Sequence, residues 1–151
     1  MANVNPIPEG YRTLTPLLVV DGASDAIEFY RDAFGAEETV RMPGIDGRLM
    51  HAEIRIGDSR LMLADETGRI SAPGTVGGTP VMVYMYVEDA DTVFDRAVKA
   101  GAKVLIPLED QFWGDRYGKL EDPFGHHWAI ASRRENLSLS EIMERAPTIS
   151  R

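Results

Sequence analysis

The chain contains no cysteine, which excludes disulfide scaffolds, thiolate zinc sites and thiol nucleophiles. Its fold must therefore rest on packing. Basic residues are outnumbered, with 16 lysines and arginines against 24 acidic side chains and a formal charge of −8. That excess repels phosphate backbones and anionic lipid surfaces, so neither nucleic acid nor a membrane is an expected partner. No apolar run approaches the roughly 20 residues of a membrane span. Residues 1–10, with Pro6, Pro8 and Glu9, lack the cationic start and apolar stretch of a secretory signal, so a cytoplasmic location is expected. A serine nucleophile elbow, a phosphate-cradling glycine loop and a dinucleotide fingerprint are also missing. Residues 74–78 are rich in glycine, but no lysine or helix start follows them.

What is present fits a folded domain. A chain of 151 residues buries about two thirds of its unfolded surface, and 44% hydrophobic with 26% charged residues is an ordinary globular balance. Residues 13–20 are apolar and β-branched enough for a buried strand, and Asp21-Gly22 closes it as a turn. Ser24 is the expected N-cap of a helix carrying Ala26, Ile27, Phe29, Tyr30, Ala33 and Phe34 at helical spacing, with Gly35 as its stop. A short strand over 37–41 follows, then a loop through Pro43, Gly44 and Gly47. A hairpin comes next, with arms at 49–56 and 60–64 around Gly57-Asp58. Residues 68–80, rich in Gly, Pro, Ser and Thr, read as a linker.

The same order then begins again. Residues 81–87 form a strand, 89–100 a helix stopped by Gly101, and 104–106 a short strand. A loop through 107–114 leads to a last hairpin turning at Pro123-Phe124-Gly125. Asp25, Ile27 and Gly35-Ala36 recur at one constant offset as Asp91, Val93 and Gly101-Ala102. Arg48, Glu53 and Gly57 recur, at an offset two residues longer, as Arg116, Glu121 and Gly125. The chain thus reads as a duplicated βαβββ module. The expected organisation is an N-terminal extension (1–10), a first module (11–67), the linker (68–80), a second module (81–133) and a tail (134–151). In that tail Ser138 and Glu141 stand in capping-box register ahead of a short helix. Leu139, Ile142 and Met143 give it an apolar side, suited to docking on the body or on a second subunit.

This pattern resembles the vicinal oxygen chelate superfamily, which includes glyoxalase I, bleomycin-resistance proteins and extradiol dioxygenases. Asp21, Ala26-Ile27-Glu28-Phe29-Tyr30, Phe34-Gly35-Ala36 and the closing Asp122-Pro123-Phe124-Gly125-His126-His127-Trp128 carry the resemblance. Met50-His51-Ala52-Glu53-Ile54, Gly57-Asp58-Ser59, Met62-Leu63-Ala64-Asp65 and Trp113-Gly114-Asp115-Arg116-Tyr117-Gly118 look like its PhnB-like bacterial branch. The resemblance implies an α+β fold, the glyoxalase/bleomycin-resistance fold. In it two tandem βαβββ modules build a curved mixed-sheet cup, commonly in a homodimer. In metal-dependent members four ligands come from the first and fourth strand of each module. Carried over, those positions fall at Thr15, Leu61, Met82 and Ala129. None is a carboxylate or an imidazole, the donors such metals need, so no metal and no cofactor are expected.

The residues themselves add candidates. On the fifth strand Val81, Val83, Met85 and Val87 form an apolar stripe suited to lie beneath a helix. Met82, Tyr84 and Tyr86 form the opposite one, where two phenols supply apolar area and hydroxyl handles for a small molecule or pack at a subunit interface. His51 and Glu53 share a strand face as a base and its orienting partner, as two metal ligands, or as a surface ion pair with Arg55 or a neighbour. His127 is the third imidazole or carboxylate that the pocket could recruit, while His126 serves the turn. Trp113 and Tyr117 are placed to stack on an aromatic or cationic group with Asp115 countering its charge, unless Asp115 and Arg116 pair to brace the hairpin. Asp65 and Glu66 end a strand where either water or a ligand could meet them.

The expected ligand-binding set is therefore Thr15, His51, Glu53, Leu61, Leu63, Met82, Tyr84, Tyr86, Trp113, Asp115, Tyr117, His127 and Ala129. The expected function is metal-free binding of a small organic molecule. A metal-dependent lyase, isomerase or dioxygenase with relocated ligands is one alternative, and a non-catalytic interaction module is another.

Overall fold

Alternating apolar residues and glycine turns build the same unit twice in the computed structural model, which describes residues 3–147. The outermost parts of the expected extension and tail, residues 1–2 and 148–151, lie outside the described residues. The chain divides between Gly78 and Thr79.

The first unit runs β1 (Leu17–Val20), α1 (Ala23–Phe34), β2 (Glu37–Pro43), β3 (Leu49–Ile56), β4 (Ser59–Asp65) and a single helical turn, α2 (Pro73–Val76). Its sheet order is β1-β4-β3-β2, with β1 parallel to β4 and the other pairs antiparallel. The second unit repeats this with β5 (Met82–Tyr86), α3 (Ala90–Ala100), β6 (Lys103–Asp110), β7 (Asp115–Glu121) and β8 (His127–Arg133), ordered β5-β8-β7-β6, followed by α4 (Leu139–Arg145). Two four-stranded mixed sheets with their helices make this an α+β fold. In the first unit α1 packs on β3 and β4 over Ile27, Tyr30, Ile54 and Leu63, all fully buried. In the second, α3 covers β6, β7 and β8, with Leu120, Trp128 and Ile130 beneath it. Burying each of these large side chains contributes about 1.5–3 kcal/mol.

The start of α1 differs from expectation. Its N-cap is Gly22, at φ 106°, with no capping side chain of its own, and Ser24 lies inside the helix, where its hydroxyl accepts from Arg41 at 3.1 Å. Asp65, at the end of β4, does the capping. Its Oδ1 accepts from the N–H groups of Gly22 and Ala23 at 2.7 and 2.9 Å, and its Oδ2 from that of Leu49 at 2.7 Å. Burial pushes this carboxyl up, but the backbone donors and the charge of Arg48 outweigh it and hold its pKa below the usual value. Asp65 is thus a structural clamp rather than a water-facing group. The second unit does the same with Ser132, at the matching end of β8, whose Oγ accepts from the N–H of Ala90 at 2.9 Å. There the helix also has its own cap, Asp89, accepting from Thr92 at 3.1 Å.

Other boundaries move for identifiable reasons. β1 starts at Leu17, because Pro16 has no N–H to give a ladder, although its carbonyl accepts from Met62 at 2.9 Å. The linker contains α2, begun by Pro73 and tied back where Glu66 accepts from the Thr75 hydroxyl at 2.6 Å. β6 is longer than expected and runs through Pro107. It is an edge strand, and irregularities between Val104 and Ile106 and between Ile106 and Glu109 absorb the proline. The stretch from Asp115 to Gly118 belongs to β7 and so follows strand alternation. Val81 precedes β5 and is 65% exposed, leaving Val83, Met85 and Val87 as the half-buried residues of the expected stripe. The tail helix forms as expected, with both hydrogen bonds of the Ser138–Glu141 capping box. Its apolar side is uncovered, with Leu139 72% and Met143 68% exposed.

Candidate ligand-binding site

Alternation along β7 sorts its residues between two faces. Gly118 and Leu120 look toward α3. Leu120 is fully buried, and a Cβ on Gly118 would stand 2.6 Å from the ring of Phe94. Asp115, Tyr117, Lys119 and Glu121 take the helix-free face. Across β8 they stand opposite Arg133, Ala131, Ala129 and His127, and across the next ladder Ala131, Ala129 and His127 stand opposite Tyr86, Tyr84 and Met82.

Small residues in the middle strand leave room for rings on either side. Tyr84 and Tyr117 stack with centroids 5.6 Å apart, and Tyr86 lies 5.2 Å from Tyr84. Trp113 meets Tyr117 edge-on at 5.5 Å and is itself backed by Phe112 at 5.1 Å. Ala129 and Ala131 are fully buried.

Asp115 stands within this aromatic group and is only 4% exposed. Its Oδ2 accepts from the Tyr86 hydroxyl at 2.7 Å, the Trp113 indole N–H at 3.1 Å and the Tyr84 hydroxyl at 3.3 Å. All three donors converge on one oxygen, and Oδ1 accepts from no side chain among the described residues. The phenols respond to this company. Desolvation, then repulsion from the negative charges of Tyr86 and Asp115, raises the Tyr84 pKa well above its usual value. Donation to Asp115 raises that of Tyr86. Asp115 and Arg116 do not pair with each other, because neighbouring strand residues point to opposite faces.

Six of the expected residues are thus gathered on one face: Tyr84, Tyr86, Trp113, Asp115, Tyr117 and Ala129. Met82 and His127 lie further along the same face, where His127 Nε2 is 3.3 Å from Glu121. In the first unit His51 and Glu53 share the helix-free face of β3, 3.5 Å apart, opposite Met42 and Val40 on β2. Arg55 is not their partner, since it pairs with Glu37. Leu61 and Leu63 are not with them. Both are buried on the helix-covered face, with Leu61 opposite Ile54 and Leu63 opposite Ala52, while Met62 shares the side of Glu53. Thr15 is half-buried ahead of β1. Ala131 was missed by the sequence reading, although a step of two from Ala129 reaches it. Phe112 gave no signal, since it precedes the strand whose alternation would have placed it.

The model of the glyoxalase/bleomycin resistance protein/dioxygenase superfamily matches residues 13–130. The chain belongs to this superfamily. A glyoxalase-superfamily chain at this length has close company: an uncharacterised protein of Mycobacterium tuberculosis is 48% identical over 134 residues, spanning 85% of this chain and 79% of that one. Among solved structures, TioX from Micromonospora sp. ML1 superposes with a TM-score of 0.64 at 25% identity, covering 84% of this chain and all (100%) of that one. A PhnB protein from Bacillus cereus, titled a putative 3-demethylubiquinone-9 3-methyltransferase, shares the fold at 21% identity. Its TM-score is 0.63, with 80% of this chain and 99% of that one covered.

At the positions to which the resemblance carries the metal ligands, Thr15, Leu61, Met82 and Ala129, the residues present do not fit a divalent metal. Leu61 and Ala129 are buried hydrocarbon, Met82 and the site-facing neighbour Met62 each offer only a soft thioether, and Thr15 a lone hydroxyl. Among the described residues no group of three or more His, Asp or Glu side chains is placed to hold an ion. No step is derived through a metal at these positions. Among the described residues, too, no helix is long and apolar enough to cross a membrane.

Proposed function

We propose that this superfamily member binds a small organic molecule on the helix-free face of its second sheet, without a metal. The ligand presents a cationic group to Tyr84, Tyr86, Trp113 and Tyr117. The convergence of three donors on Asp115 Oδ2 supports this most directly, because it fixes the carboxylate and leaves Oδ1 for a ligand N–H or positive charge. Aromatic faces attract the same cation, by about 0.5–2 kcal/mol each. Arg133, opposite Asp115 in register and exposed, limits how much positive charge the site accepts, which favours a single cationic centre.

Benzyltrimethylammonium and its neutral counterpart benzyl alcohol test this, followed by quenching of Trp113 fluorescence in a Trp128→Phe background. The cation should quench saturably and the alcohol weakly. Asp115→Asn should weaken the cation about tenfold or more and leave the alcohol unchanged. Equal response to both probes, in both proteins, would count decisively against it.

The protein acts in the cytoplasm as a homodimer under the same proposal, and a light-scattering mass of one chain would contradict the dimer. A catalytic alternative draws on His51 beside Glu53, an imidazole held by a carboxylate as a general base is. Stoichiometric divalent metal kept through dialysis and lost in His51→Ala would favour that alternative over metal-free binding.

A further inference from the structure

The first unit holds a cavity of about 410 Å³ where the segment ahead of β1 meets the β3–β4 turn. Gly10, Tyr11, Gly57 and Asp58 line it together with three arginines, Arg12, Arg55 and Arg60. In a chain of net charge −8 this is a local reversal of sign. Arg55 and Arg60 also stand directly opposite each other across the β3–β4 ladder, and like charges so placed destabilise a sheet. Glu37 neutralises Arg55. Arg12 and Arg60 have no carboxylate within ion-pair distance among the described residues.

Arg60 is nevertheless held in place. Its guanidinium lies over the ring of Tyr11, 5.1 Å from the centroid, and against the backbone of Gly10, where a Cβ would come within 2.8 Å of Nη2. Gly10 has φ +84°, so both its conformation and its missing side chain make room for the arginine. A ring contact uses none of a guanidinium's N–H hydrogen-bonding capacity toward oxygen, which stays available for a planar or tetrahedral oxyanion.

We propose that this cavity is an oxyanion site, taking the phosphate or carboxylate group of a small molecule between Arg12 and Arg60. An anion there offsets the charges of Arg12 and Arg60, which no carboxylate pairs among the described residues. Asp58, whose carboxylate accepts from the Ser59 hydroxyl at 3.0 Å, stands in the same cavity and disfavours a second negative group. The site lies within the first unit, so it stands or falls independently of the aromatic face.

The test is an NMR titration of the ¹⁵N-labelled full chain with sodium phosphate and, in parallel, sodium acetate, at an ionic strength held constant with chloride. Backbone amides of Gly10, Tyr11, Gly57 and Asp58 should shift saturably with at least one probe, and the tighter probe identifies the preferred group. Arg60→Gln and Arg12→Gln should each weaken binding about tenfold. Arg60 also supports Tyr11, so the exposed Arg12 carries the result if Arg60→Gln proves unstable. Shifts that never saturate with either probe, or an unchanged midpoint in Arg12→Gln, overturn the proposal.

Discussion

Arg116 forks onto both carboxylate oxygens of Asp91, Nε to Oδ2 at 2.8 Å and Nη2 to Oδ1 at 2.9 Å, and so ties β7 to the first turn of α3. Asp110 and Arg134 extend the contact, at 3.2 Å from Arg116 and 3.4 Å from Asp91. Asp91 and Arg116 are among the residues whose sequence offsets first marked the duplication, yet their counterparts pair differently, with Arg48 reaching Asp21 at 3.2 Å and Asp65 at 3.5 Å. The fork needs a planar donor. Arg116→Lys, which keeps the charge, should lower the thermal midpoint by no more than a few degrees, and the deficit should shrink as salt is added. A deficit that grows with salt would show that charge is not what the pair contributes.

Asp65 predicts an acid limb. Its folded pKa is depressed below the ordinary 3.8, so the charged form favours the native state. That contribution is fully present above about pH 4 and disappears as pH falls through the lower folded value. Asp65→Ala strands three backbone donors and should cost about 3 kcal/mol near neutrality, read from urea unfolding. Asp65→Asn should flatten the decline of stability below pH 4. An acid limb identical to that of the parent protein would assign acid sensitivity elsewhere.

The two phenols beside Asp115 predict an alkaline limb of the opposite sense. Both pKa values are raised above the ordinary 10.0, so the unfolded chain ionises first. Stability should hold up to about pH 10 and then fall toward the folded values. Phenolate absorbance should therefore show a late-titrating fraction among the five tyrosines, and Asp115→Asn should bring part of it back toward ordinary pH. Titration of all five together would contradict the geometry of the cluster.

Gly118→Ala tests how closely α3 is seated. The new methyl would stand 2.6 Å from Phe94 Cε2 and 3.0 Å from the backbone of Leu108. Overpacking of this kind costs about 1–3 kcal/mol, so the urea midpoint should fall without a change in slope. Phe94→Leu in the same chain should recover part of the loss.

Much of the fold was legible because its signals are local and repeated. Gly57-Asp58, Gly35, Gly101 and the Ser138–Glu141 box each specify a turn or a helix end through nearest neighbours alone. The start of α1 was not legible, because its capping group, Asp65, lies more than forty residues away in sequence. Alternation located Tyr84 and Tyr86 on one face, but the sequence left open a pairing of Asp115 with Arg116, which the strand over 115–121 separates, and could not say which face of β4 is covered by helix. That is why Leu61 and Leu63 were expected among ligand contacts, when Met62 is the residue that shares the side of Glu53. A register error of one residue reverses every side chain on a strand.

The clamp at Asp65 also bears on how the chain acquires its shape during synthesis. The opening turn of α1 emerges from the ribosome with its amide groups unsatisfied, and the carboxylate that quiets them is made only at the end of β4. Helix and sheet in this half are therefore obliged to mature together. A nascent chain truncated before residue 65 should be a sensitive protease substrate, and one extended a few residues further a resistant one.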